Sequence, residues 1–167
     1  MIWKKKGYGV TVVSIKGGEV PLDPRSLQEK NLTEHSRSFL NSGGHGIVID
    51  GPNDPHLRKT LEKAAEQGKI VSAVCHGPAA FVKVEVDGNP LVQGKKVTAF
   101  SNSEEKSVGM DQKVPFLLED KLKELGAKYE KGKDWSPFVV KDGKLITGQN
   151  PQSSPPLAEK VAAALEE

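Results

Sequence analysis

Apolar and polar positions alternate along this chain in two rhythms, short β-branched runs and stripes spaced three or four residues apart. Val10-Thr11-Val12-Val13-Ser14, closed by Gly17-Gly18, has no polar face and predicts a strand covered on both sides, as in a parallel sheet. Residues 19–42 hold prolines and weak periodicity, which predicts a long excursion. From His56 to Gln67 the apolar residues Leu57, Leu61, Ala64 and Ala65 fall on one stripe of a helix. Asp54 is placed to cap it, Pro55 suits its first position, and Gly68 suits a left-handed end. Lys69 to Val74 then reads as a second buried strand, so helix and strand form half of a βαβ unit.

Beyond residue 84, Asp87-Gly88 and Gly94 punctuate a small β-ribbon that leads to a strand over Lys96-Val97-Thr98-Ala99-Phe100. Apolar residues at 114, 117, 118, 122 and 125 predict an amphipathic helix ended by Gly126. Phe138 to Lys141 and Lys144 to Thr147, joined by Asp142-Gly143, predict a hairpin. Ser153 or Ser154 is placed to cap a last helix that turns Leu157, Val161, Ala164 and Leu165 inward. Strands alternating with helices make this an α/β protein with a mostly parallel sheet.

Composition narrows the function. The 167 residues carry 24 Lys plus Arg against 22 Asp plus Glu, a formal charge of +2 without a broad basic field, and aromatics make up 5%. No nucleic-acid partner is expected from that balance. No run approaches a membrane span, so no membrane partner is expected, and the lone cysteine suits a cytoplasmic, reducing setting. With no internal repeat, 1–167 is expected to form one domain.

Candidate chemistry gathers at Ile70 to Phe81. A buried strand runs into Cys75-His76-Gly77-Pro78, the strand–turn–helix form of a nucleophile elbow. A following helix N-terminus would favour the thiolate and lower the Cys75 pKa. Spacing alone fits equally well a small, inert, buried cysteine. Gly43-Gly44-His45-Gly46 could present backbone N–H groups to an oxyanion, or be a plain turn before Ile47. His45 and His76 could act as base or orienting groups. Glu104 and Glu105 lie after the strand ending at Phe100, where a carboxylate could hold a histidine or simply load a helix's first turn. One Cys and four scattered His show no ligand-pair spacing, so no metal is expected.

The segments Gly17-Gly18-Glu19-Val20-Pro21-Leu22-Asp23, Gly43-Gly44-His45-Gly46, Ala73-Val74-Cys75-His76-Gly77-Pro78, Val97 to Glu105, Val114 to Glu119 and Asp142 to Pro151 occur in an order that resembles the PfpI-like superfamily. Within it they are most similar to the glyoxalase III branch, also called heat-shock-protein-31-like. The resemblance implies a class I glutamine amidotransferase-like, flavodoxin-like three-layer sandwich and conversion of methylglyoxal to lactate without glutathione, metal or other cofactor. It implies Cys75 as nucleophile, His76 as acid/base group and Glu105 as its carboxylate partner, with Gly44, His45 and Gly77 around the oxyanion and substrate. Chaperone activity and a cysteine-peptidase-like hydrolase are alternative functions that the resemblance leaves open. Family members have a strand and helix ahead of the segment matching residues 2–8, including a glutamate that bonds the sulfur, and an apolar strand before Gly43. One or two central strands are therefore expected to be absent or degraded here and activity to be weakened; either the chain is a shortened gene product or it completes its sheet by pairing with another chain, and a homodimer is expected.

Overall fold

The computed structural model describes residues 44–167, together with Gly7. The strand expected at residues 10–14, the excursion over 19–42, the degraded strand before Gly43 and Gly43 itself lie outside the described residues.

The first element among the described residues is a short helix that the sequence pattern does not predict, α1 (Gly46–Asp50), followed by a 3-10 turn over Gly51–Asn53. Helix α2 (Pro55–Glu66) forms as expected. Asp54 accepts a hydrogen bond from the Leu57 N–H at 2.6 Å, Pro55 opens the first turn, and Gly68 takes φ +65° beyond the end. Strand β1 (Val71–Val74) follows, then a 3-10 turn over Gly77–Phe81 and the ribbon β2 (Glu85–Val86) with β3 (Asn89–Pro90). Next come β4 (Lys96–Val97), α3 (Asn102–Ser107), α4 (Leu118–Glu124) and β5 (Lys128–Tyr129). The hairpin β6 (Val139–Asp142) and β7 (Leu145–Gly148) precedes the last helix, α5 (Ser154–Leu165).

The principal sheet among the described residues has the order β1-β7-β6. Strand β1 runs parallel to β7, with Val71 opposite Leu145 and Val74 opposite Gly148, while β6 pairs antiparallel with β7. Side chains alternate across this sheet. Val71, Ala73 and Leu145 join the core under α2, which also holds Phe81, Leu118 and Leu122. Ile70, Val74 and Ile146 face the other way, onto Leu157, Val161 and Ala164 of α5. That two-residue alternation makes helix, sheet and helix three layers.

Four expectations shift in detail. The hairpin loop is Gly143-Lys144, because Asp142 is the last residue of β6, where it pairs with Leu145 and accepts the Lys96 N–H at 2.8 Å. The helix expected from Val114 starts only at Leu118, consistent with Pro115 biasing Val114 away from helical geometry. Leu165 is 55% exposed at the end of α5, and Ala164 beside it takes the buried position at 2%. The strand over Lys96 to Phe100 keeps a regular ladder only at β4, paired parallel with β5. Beyond it, the Thr98 N–H donates to Thr147 Oγ1 at 2.9 Å and the Phe100 N–H to the Cys75 carbonyl at 2.9 Å. This irregular path carries Phe100 and α3 to the end of β1.

Candidate active site

The Cys75 N–H adds one rung beyond β1, donating to the Gly148 carbonyl at 2.9 Å. There the backbone turns sharply, and Cys75 adopts φ +60°. A left-handed conformation costs an L-residue with a side chain about 1–2 kcal/mol, and such strain is concentrated at functional sites. The turn expected from the Cys-His-Gly-Pro sequence is thus present as a strained elbow. Gly77 opens the following 3-10 turn, and a Cβ there would come within 3.2 Å of Ala73 Cβ, so close packing of turn on strand favours glycine.

Downstream of the elbow, His76 is buried, with Nδ1 3.3 Å from Cys75 Sγ and Nε2 2.7 Å from Glu105 Oε2. Sulfur, imidazole and carboxylate therefore lie in line, the order needed for a base held by an orienting acid. The Phe100 ring, 4.3 Å from the His76 ring centre to centre, covers one side of the imidazole. Glu105 comes from the first turn of α3. Ser101 caps that helix in a reciprocal box, accepting the Glu104 N–H at 3.3 Å while Glu104 Oε2 accepts the Ser101 N–H at 3.1 Å.

His45 reaches the same carboxylate, with Nε2 2.6 Å from Glu105 Oε1 and its ring 4.1 Å from that of His76. Gly44, next to it, takes φ +114° and leads into α1. One buried carboxylate thus bridges two imidazoles. Sequence spacing does not suggest this, because His45 and Glu105 are 60 residues apart. The donor atoms of His45, His76 and Glu105 all lie within 4.8 Å of one another, so the residues that could hold a metal converge here although no local ligand pair marks them.

Electrostatics assign different states to these groups. Burial by itself raises the Glu105 pKa, but hydrogen bonds from His45 and then His76 outweigh it and hold the carboxyl at about 2. Burial lowers the His76 pKa, only partly offset by Glu105, which keeps the imidazole neutral and able to accept a proton. The thiol departs from expectation. Cys75 is pushed up to about 12, chiefly by burial, with the charges of Glu104 and Glu105 adding to the rise and a hydrogen bond from the His76 backbone N–H opposing it. The expected helix N-terminus is a five-residue 3-10 turn, and its field does not overcome desolvation in this negative surrounding.

Glu104 does more than load the helix's first turn: it is a fully buried hub. Besides the Ser101 contacts it accepts the Trp135 N–H at 2.9 Å and Asn150 Nδ2 at 2.8 Å through Oε1. Trp135 is held there at φ +59°, its ring edge-on to Phe100 with centres 5.6 Å apart. The Ser101-x-x-Glu104 pattern is the sequence signal that marks the cap; the distant partners leave none.

Residues 3–164 match the model of the DJ-1/PfpI family. The chain is 38% identical over 135 residues to Glyoxalase 3 of Candida albicans, covering 77% of this chain and 57% of that protein. It is 36% identical over 148 residues to the glutathione-independent glyoxalase HSP31 of Saccharomyces cerevisiae, covering 84% of this chain and 62% of the other. The chain thus spans about three fifths of the length of these two curated relatives. The crystal structure of glyoxalase III from Candida albicans superposes with a TM-score of 0.85 at 31% identity, over 98% of this chain and 83% of that one. Among the described residues no helix is long and apolar enough to cross a membrane. With an elbow cysteine on a mixed α/β sheet and a family match over nearly its whole length, this chain belongs to the DJ-1/PfpI family.

Proposed function

We propose that this chain is a glyoxalase III-type enzyme that converts methylglyoxal to lactate without glutathione. The observation that carries this reading is the Cys75–His76–Glu105 line, with a strained elbow at one end and an ionised carboxylate at the other. The names of the relatives supply the substrate class.

In this reaction the Cys75 sulfur attacks the aldehyde carbon as its proton passes to His76 Nδ1, giving a hemithioacetal. Because the resting thiol is so weakly acidic, proton transfer and attack are coupled instead of starting from a stored thiolate. The imidazole then moves a proton from the former aldehyde carbon to its neighbour, which converts the hemithioacetal to a lactoyl thioester. Water cleaves the thioester, releasing lactate and restoring the thiol. Glu105, through His76 Nε2, fixes the tautomer that leaves Nδ1 free to accept. Backbone N–H groups at Gly44, His45 and Gly77 are the proposed oxyanion and substrate contacts.

The same burial that raises the thiol favours a second reading, a non-catalytic chaperone or interaction module that retains the elbow as architecture. Quenching the protein with methylglyoxal and mapping adducts by mass separates the two. A hydroxylamine-labile acyl group on Cys75 is expected; labile acylation at no residue, or elsewhere, overturns the enzyme reading. The proposal includes a single domain over 1–167 acting in the cytoplasm as a homodimer, checked by mass in solution.

A further inference from the structure

The bridge between His45, Glu105 and His76 is more than an orienting triad requires. One imidazole suffices to serve Cys75, yet a second, from a segment 60 residues away from Glu105, presents its Nε2 to the other carboxylate oxygen. We infer that His45, His76 and Glu105 form a binding site for a zinc-like divalent cation, and that its occupation switches off the Cys75 chemistry.

The donor set is two imidazole nitrogens and one carboxylate, which suits zinc and its neighbours better than magnesium or calcium. Three protein ligands leave a fourth position for water or another small ligand. Nitrogen–oxygen separations are now 2.6 and 2.7 Å. With metal–ligand bonds of about 2.0–2.2 Å at tetrahedral angles, each must open to about 3.4 Å, within reach of side-chain rotation alone. The His76 and Glu105 side chains are 2% and 3% exposed but that of His45 is 20% exposed, so the cation would enter past His45. Phe100, against the His76 ring, keeps the imidazole plane from swinging away from the cation.

Occupation has a defined chemical result. A metal on Nε2 obliges the neutral His76 ring to carry its hydrogen on Nδ1, the atom 3.3 Å from Cys75 Sγ. That nitrogen can then no longer take the thiol proton, and Glu105 is withdrawn from its orienting role. Because Nδ1 and Nε2 are at different edges of the ring, the sulfur lies away from the cation and is not a ligand. The inhibitory consequence rests on the glyoxalase reading; the binding itself does not.

The test is titration of the chelator-treated full chain with Co2+, followed by visible d–d absorption, and with Zn2+ by calorimetry. One equivalent is expected to bind. H45Q should weaken binding at least ~100-fold, since loss of even an outer-sphere partner costs up to that much, and Cys75→Ser should leave it unchanged. The histidine ring NMR signals of wild type keep the test decisive should H45Q fail to fold: Zn2+ should shift those of His45 and His76 and spare the one on α2, His56. No stoichiometric binding, binding indifferent to H45Q, binding lost in Cys75→Ser, or shifts confined to His56 would each overturn the inference. Inhibition of lactate formation by Zn2+ is a separate readout, so binding without inhibition would refute the switch while leaving the site.

Discussion

Replacing Glu105 by glutamine removes one buried charge and sets an amide between two imidazole N–H groups, so it tests the polar centre of the site in two ways at once. In the folded chain the carboxyl is held at about 2, against 4.5 for the free group. By linkage that depression corresponds to roughly 3 kcal/mol of stability at neutral pH. The sign follows from a folded pKa below the unfolded one: the contribution is complete above about pH 4.5 and disappears as pH falls through about 2. Urea denaturation of wild type and E105Q should therefore differ by roughly 2–3 kcal/mol at pH 7, and the gap should narrow steadily from pH 4.5 downward. Activity should fall further than stability explains, on the order of 10³–10⁴-fold, because the neutral amide has one acceptor oxygen for two imidazoles and no charge with which to hold the His76 tautomer or its protonated form. Equal stability of the two proteins at pH 7, or a gap as wide at pH 2 as at pH 7, would refute this role of Glu105.

Two further outcomes follow from the same geometry. Iodoacetamide should alkylate Cys75 on the order of a thousandfold more slowly than a model thiol at pH 7.5, since its pKa stands near 12 instead of 9, and the rate should still be rising at pH 10; fast labelling at pH 6 would contradict this. Glu104→Ala should cost about 3–5 kcal/mol, because it strands the donors of Ser101, Trp135 and Asn150 in the interior; thermal unfolding that shifts by less than a degree would contradict the hub.

The sequence is most legible where its signals are local. Asp54, Pro55 and Gly68 delimit α2 because a cap, a fixed φ and a left-handed residue each act within one turn of the helix. Cys75-His76-Gly77-Pro78 announces the elbow for the same reason, and the alternation of Val71 with Val74 and of Leu145 with Ile146 assigns both faces of the sheet. What stays hidden depends on partners far along the chain. Nothing near His45 shows that its ring meets Glu105, and nothing near Glu104 shows that Asn150 and Trp135 donate to it. The Cys75 thiol illustrates the limit most clearly. A helix start argues for a low pKa, but the two carboxylates and the depth of burial that reverse it are set by how α3 packs against the elbow. The hairpin shifts by one residue on similar grounds, since Asp142 is claimed by the Lys96 N–H from another strand.

Cys75, served by His76 and Glu105, is proposed to turn methylglyoxal into lactate. The most direct test is lactate formation from methylglyoxal by the purified chain in the absence of glutathione, beside Cys75→Ser confirmed as folded by circular dichroism. Steady turnover is expected in the wild type and none above background in the variant. A folded wild type that forms no lactate, or a Cys75→Ser protein that turns over as fast, would contradict it.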